Sequence, residues 1–147
     1  VPSYSMEEAK TKVKLGAEII YMGWIMAGKI KGYPKAVRKY RIQAVCGVGM
    51  GQTGTGLKEA RDKNKIPQNI PLFILQGTFD IKKLHGVYRM MMNLMVKTAG
   101  KALADKSDRT PEDDDMLDMM LNGSERVKAE NLKYIIDWYD TAERGEK

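Results

Sequence analysis

The sequence predicts an α/β domain built on a parallel sheet with helices on both faces. Three stretches carry that prediction: AEIIYMGWIMAGK at 17–29, IQAVCGVGMGQTGTG at 42–56 and LFILQGT at 72–78. Each is a short apolar run that ends in glycine, without the polar alternation of a half-exposed strand, as expected of a strand covered on both faces. Between them the apolar residues fall at helical spacing, so strands and helices alternate, with right-handed crossovers. Ligands of such sheets sit beyond the carboxyl ends of the strands. The glycine-bearing segments after the first two strands are therefore the candidate site.

Taken in order, Ser5 and Glu8 have capping-box spacing, which predicts a helix from Met6 that runs through Ala9 and Val13 and stops near Gly16. The first strand follows at about Glu18–Met22. Tyr33, Val37 and Tyr40 give an inward stripe to a helix over 32–40, with Lys35, Arg38, Lys39 and Arg41 toward water. After the second strand, Leu57 and Ala60 point inward from a helix over 54–65, and Pro67 and Pro71 lead into the third strand.

The rhythm breaks at 82–101. Leu84, Tyr88, Met91, Met92, Met95 and Ala99 form a helical stripe, yet Val87, Met90, Leu94 and Val96 extend apolar character nearly all round. Lys82, Lys83, Arg89, Lys97 and Lys101 flank it. Thr110 and Pro111 open the next helix, with Glu112 to Asp115 at its positive end and Gly123 closing it. A last helix, about Glu125 to Ala142, carries Leu132, Ile135, Ile136 and Tyr139 at i, i+3, i+4 and i+7. The expected organisation is one domain over 1–147, with a Met-rich helical insertion at 82–123.

Composition narrows the function classes. The 147 residues suffice for one domain with a real core. The lone cysteine, Cys46, excludes an internal disulfide, suits a reducing compartment and reads as a small buried strand residue. No apolar run approaches the roughly 20 residues of a bilayer span, and Glu7 and Glu8 stand where a leader would be apolar. The net charge of +6 is unevenly spread: 18 Lys and Arg against 6 Asp and Glu over 1–104, and 7 against 13 over 105–147. A basic body suits an anionic partner, a membrane surface or the acidic segment of its own chain.

The candidate site has two parts. In Gly23-Trp24-Ile25-Met26-Ala27-Gly28, glycines allow close backbone approach, while Trp24 and Met26 offer flat apolar contact. Gly47-Val48-Gly49-Met50-Gly51 has glycine at alternate positions, followed by Gln52 and Thr53. Two such loops side by side suit a planar ring whose polar edge bonds to backbone N–H groups. The lysine-plus-hydroxyl ending of a nucleotide-triphosphate loop is missing. Tight strand-to-helix turns are the plain alternative.

With these loops, the spans GAEIIYMGWIMAGKI, CGVGMG and LFILQGTFDIKKLHGVYRMMMNLMVKTAG resemble the flavodoxin family. Within it they are most similar to short flavodoxin-like proteins related to menaquinone-dependent protoporphyrinogen dehydrogenases. The last span, with Tyr88-Arg89-Met90-Met91, Leu94-Met95, Lys97 and Gly100, resembles the long insertion of those enzymes. The resemblance implies a flavodoxin-like three-layer αβα fold that binds FMN. Its ring would lie between the first segment (Gly23 to Gly28) and the second (Gly47 to Gly51), with Trp24 or Met26 on one side and Met50 near the other edge. It implies electron transfer, or dehydrogenation of a flat substrate with quinone as acceptor, in partnership with a redox protein or quinone. The Met-rich segment itself suits core or subunit packing, a flap that contacts quinone or porphyrin, or, through its basic flanks and apolar face, peripheral membrane contact through 82–101. The expected location is cytoplasmic or peripheral at the inner face of the membrane, and an oligomer is compatible with it. The family's first strand and its Thr/Ser-rich phosphate loop are not represented. Only the third to fifth strands correspond, so the domain is expected to be incomplete at its N-terminus and completed by another segment or chain. The competing reading is a flavodoxin-like interaction module without flavin.

The remaining candidates carry less. His85 is the only histidine, which excludes a histidine cluster, and it reads as a solvent-facing residue near a helix start. The acidic run at 112–115 lacks the spaced ligands and glycine of a calcium loop. No Ser-His-Asp or Cys-His arrangement is readable. Tyr33, Tyr40 and Trp24 are placed as packing or loop residues and not as a stacking row, so no nucleic-acid partner is expected.

Overall fold

The computed structural model describes residues 1–123 and 125–145. The chain is α/β, with strands β1 (Glu18–Met26), β2 (Lys29–Ile30), β3 (Arg41–Gly49) and β4 (Leu72–Gln76). The helices are α1 (Met6–Lys12), α2 (Tyr33–Val37), α3 (Leu57–Asn64), α4 (Gly86–Asp105), α5 (Pro111–Asn122) and α6 (Lys133–Gly145). The sheet has the order β2-β1-β3-β4. β1 and β3 are parallel, Glu18 opposite Arg41 and Trp24 opposite Val48, with an irregularity between Ile19 and Ile20. The chain divides into two compact units, one of 1–48 and 56–73, the other of 49–55 and 74–147.

In the first unit, the capping box at Ser5 and Glu8 starts α1, and Ala9 is its buried residue. The helix ends at Lys12, a turn short of Gly16, because Val13 is already extended. Tyr40 donates its hydroxyl proton to the Ala9 carbonyl at 3.2 Å, which ties α1 to the segment entering β3. Residues Ala44 to Gly47 of β3 are buried in succession, as a strand covered on both faces requires. β1 is different. Met22 and Trp24, on one face, are 54% and 41% exposed, so its apolar run is not covered as predicted. The helices α2 and α3 are also shorter than expected. Gly54 and Gly56 take left-handed φ values of 85° and 69°, so the helix after β3 begins only at Leu57.

The sheet is mixed, which corrects the expectation of a purely parallel one. β1 runs on through Gly23, Trp24, Ile25 and Met26 instead of ending in a loop, and turns back at Ala27-Gly28 into the antiparallel β2. Ala27 and Gly28 have φ of 51° and 77°, the double left-handed geometry of a type I′ hairpin turn. Gly28 suits this turn, but Ala27 does not announce it, since Ala at its first position is unusual. The return strand is stable because Ile30 is buried to 2% exposure.

In the second unit, a single 3-10 turn at Ile81–Lys83 precedes α4, which begins at Gly86 and not at Lys82. Pro111 opens α5 after Thr110 and Gly123 closes it, as the sequence predicts, and Thr110 and Asp113 add a capping box. Lys106 and Arg109 neutralise Asp113 and Asp114 at 2.6 and 2.7 Å. The hydrogen bond from Lys106 holds the Asp113 carboxyl below its ordinary range. The acidic run is thus a helix start. The last helix begins at Lys133, after a 3-10 turn at Ala129–Leu132, and Ile135 is its buried residue.

Candidate functional site

The predicted site residues fall in both units. In the first unit, β1–β3 pairing places Gly23 opposite Gly47 and Trp24 opposite Val48, at the carboxyl ends of two adjacent parallel strands. Ile25 and Met26 pair with Ile30 and Lys29 across the hairpin. In the second unit, Gly49, Met50 and Gly51 begin the segment that leads toward α3.

The glycines of the first segment serve the fold. A Cβ on Gly23 would stand 2.7 Å from the Lys31 carbonyl oxygen and 2.9 Å from the Ile30 side chain, so close packing of the return strand requires glycine there. Asn64, at the end of α3, locks the hairpin. Its Oδ1 accepts the Ile30 N–H at 2.8 Å, and its Nδ2 donates to the Gly28 and Ala60 carbonyls at 2.8 and 2.7 Å. Lys63 adds a bond from Nζ to the Ala27 carbonyl at 3.1 Å. Trp24 in this segment is 41% exposed, and the Lys31 ammonium lies 4.9 Å above its ring centre. Such a cation over an indole is an attractive contact and places positive charge beside a flat apolar face.

The second segment is held by backbone and side-chain hydrogen bonds. The N–H of Gly77 donates to the Gly49 carbonyl at 2.8 Å, and that of Gly54 to Ile74 at 2.9 Å. Gln76, the last residue of β4, donates through Nε2 to the Met50 carbonyl (3.3 Å) and to Asp115 of α5 (3.1 Å), while its N–H reaches Thr53 Oγ1 (3.1 Å). Arg126 continues the chain, its Nη2 lying 2.8 Å from Asp115 and 3.2 Å from Asp118. Asn131 bridges the carbonyls of Gln76 and Arg126 at 3.2 and 3.0 Å. Arg126 Nε is buried with no hydrogen-bond partner among the described residues. Two carboxylates already match this guanidinium, so the cluster is a tether for the Met50–Thr53 segment and not an open anion site.

The sequence does not mark Asn64, Gln76, Arg126 or Asn131, and it marks Asp115 only as part of a helix start. One signal was available: a glutamine closes an otherwise apolar strand just before Gly77. Cys46 is buried as expected, and burial pushes its thiol up to about 12, which keeps it protonated and unreactive at neutral pH. His85 is exposed at the start of α4. Among the described residues no group of three His, Cys, Asp or Glu could hold a metal ion, and no helix is long and apolar enough to cross a membrane.

No family model matches the chain, and neither a curated protein nor a solved structure matches it.

Proposed function

We propose that this chain belongs to a flavodoxin-like FMN redox protein that transfers electrons or dehydrogenates a flat substrate with quinone as acceptor. The observation that carries the reading is the pairing of Gly23–Trp24 with Gly47–Val48 at the carboxyl ends of adjacent parallel strands, where ligands of open α/β sheets bind. The residues there fit a flat ring better than a phosphate. The Trp24 ring is 41% exposed with Lys31 over it, whereas the space beside Gly23 is filled by the protein's own hairpin. Bound FMN would supply the electron chemistry. The chain's part is to offer the Trp24 face and, through Lys31, a positive charge that favours an electron-rich ring. A cytoplasmic or membrane-peripheral location and a redox protein partner go with this reading.

The test is spectroscopic. Protein purified from cells, or titrated with FMN, is expected to show flavin absorbance near one per chain and quenched tryptophan fluorescence. Replacement Trp24→Ala should weaken binding at least about tenfold, the loss of one aromatic stacking contact. A colourless protein that takes up no added FMN removes the reading. One observation favours the alternative, an interaction module without flavin: over Glu18 to Met22, β1 pairs as a strand with β3 alone among the described residues, an edge that a further strand could extend. A stable, flavin-free complex with another chain would support that alternative.

A further inference from the structure

Helix α4 carries two apolar stripes. Met92, Met95, Val96 and Ala99 are half-buried and form the inward one. On the opposite side Val87, Met90, Met91 and Leu94 recur at i, i+3, i+4 and i+7, and they are 64%, 67%, 44% and 63% exposed. Such a pattern normally marks the side of a helix that faces a core. Here it faces water.

The charge around this stripe is one-sided. Lys82, Lys83, Arg89, Lys97 and Lys101 are all exposed, and no Asp or Glu lies between Ile81 and Ala104. Elsewhere Lys10, Lys12, Lys58, Lys63, Lys106 and Lys133 each meet a carboxylate. None of the five cations of this segment forms an ion pair among the described residues.

We propose that the outward face of α4 docks on an anionic lipid bilayer, with the Val87–Leu94 stripe entering the headgroup boundary and the surrounding cations meeting lipid phosphates. The charge excludes a second copy of the same face, because it would bring two sets of five cations together. The size argues against a protein partner. Four side chains along about 10 Å of one convex ridge fall well short of the roughly 800 Å² that each side of a stable protein interface contributes. A short apolar stripe and a basic cluster, each weak alone, act together on a charged membrane surface. Methionine suits this role because its unbranched chain adapts to a disordered environment. The inference does not rest on flavin binding.

Cosedimentation with vesicles tests it. The protein should bind vesicles of mixed phosphatidylglycerol and phosphatidylcholine at low salt, lose most of that binding at high salt, and ignore phosphatidylcholine alone. The double replacement Lys82→Gln, Lys83→Gln should lower partitioning at least about tenfold. Met90→Gln with Leu94→Gln should abolish it, with the circular dichroism of the folded chain unchanged. Failure to bind anionic vesicles at low salt overturns the proposal, as does equal binding by the glutamine variants. Oligomers that dissociate on Met90→Gln and Leu94→Gln without any vesicle binding would overturn it in favour of self-association.

Discussion

The two glycine-bearing segments begin with the same grammar, an apolar strand that empties into glycine, and end in opposite structures. Gly23 to Gly28 folds back on itself as a hairpin, and Asn64 from α3 satisfies its return strand. Gly49 to Thr55 makes no return strand and is held by the Gln76 side chain and by backbone bonds to the end of β4. The difference lies in the residues that come after each glycine run. Lys29-Ile30 supplies an apolar residue that can be buried in a pairing strand. Gln52-Thr53-Gly54 supplies none, so the chain is caught by the Gln76 side chain and by isolated backbone bonds. Glycine permits both outcomes and selects neither.

The comparison predicts that the first segment tolerates change poorly. Gly23→Ala forces a methyl group against the Lys31 carbonyl, which is backbone and cannot swing aside. A loss of about 2–3 kcal/mol in urea denaturation is expected, the upper range for overpacking. Wild-type stability in this variant would break the claim that the hairpin, and not a ligand, requires this glycine. Next in size is Asn64→Ala, which strips a partly buried N–H and a carbonyl of their partners at once. It should cost about 1–3 kcal/mol, and Asn64→Asp should not recover it, because the second carboxylate oxygen would face the Gly28 and Ala60 carbonyls as acceptor against acceptor.

For the second segment, Gln76→Ala should cost only about 1 kcal/mol of global stability. Its signature is local: faster hydrogen exchange at the Gly54 and Gly77 amides, with those of β1 unchanged. Equal acceleration everywhere would show that the tether is part of the global core. The smallest effect has the opposite sign. Ala27→Asn relieves a left-handed alanine with a residue that type I′ turns favour, for a gain of about half to one kcal/mol. No gain in thermal or urea melting would mean that the turn is held by Asn64 and Lys63 regardless of its own preference.

α4 supplies a second contrast with the rest of the molecule. Its inward stripe is an ordinary amphipathic face, while the equally regular outward one stays in water. Periodicity alone reports that a face is apolar. It does not report what covers it.

Much of this architecture was legible locally. The caps at Ser5 and Thr110, the closing Gly123, the three apolar strand runs and the buried Cys46 depend on residues a few positions apart, and short-range sterics and hydrogen bonding settle them. The extension of β1, the return strand at Lys29–Ile30 and the late start of α6 were not legible. Each depends on a partner tens of residues away: Asn64 for the hairpin, and Gln76, whose carbonyl accepts from Asn131, for the segment before α6. By itself, then, the sequence determined where the backbone could be strand or helix. The tertiary structure decided which glycine segment closes on itself and which is tied by side chains, because that choice turns on satisfying buried donors and acceptors across long sequence separations.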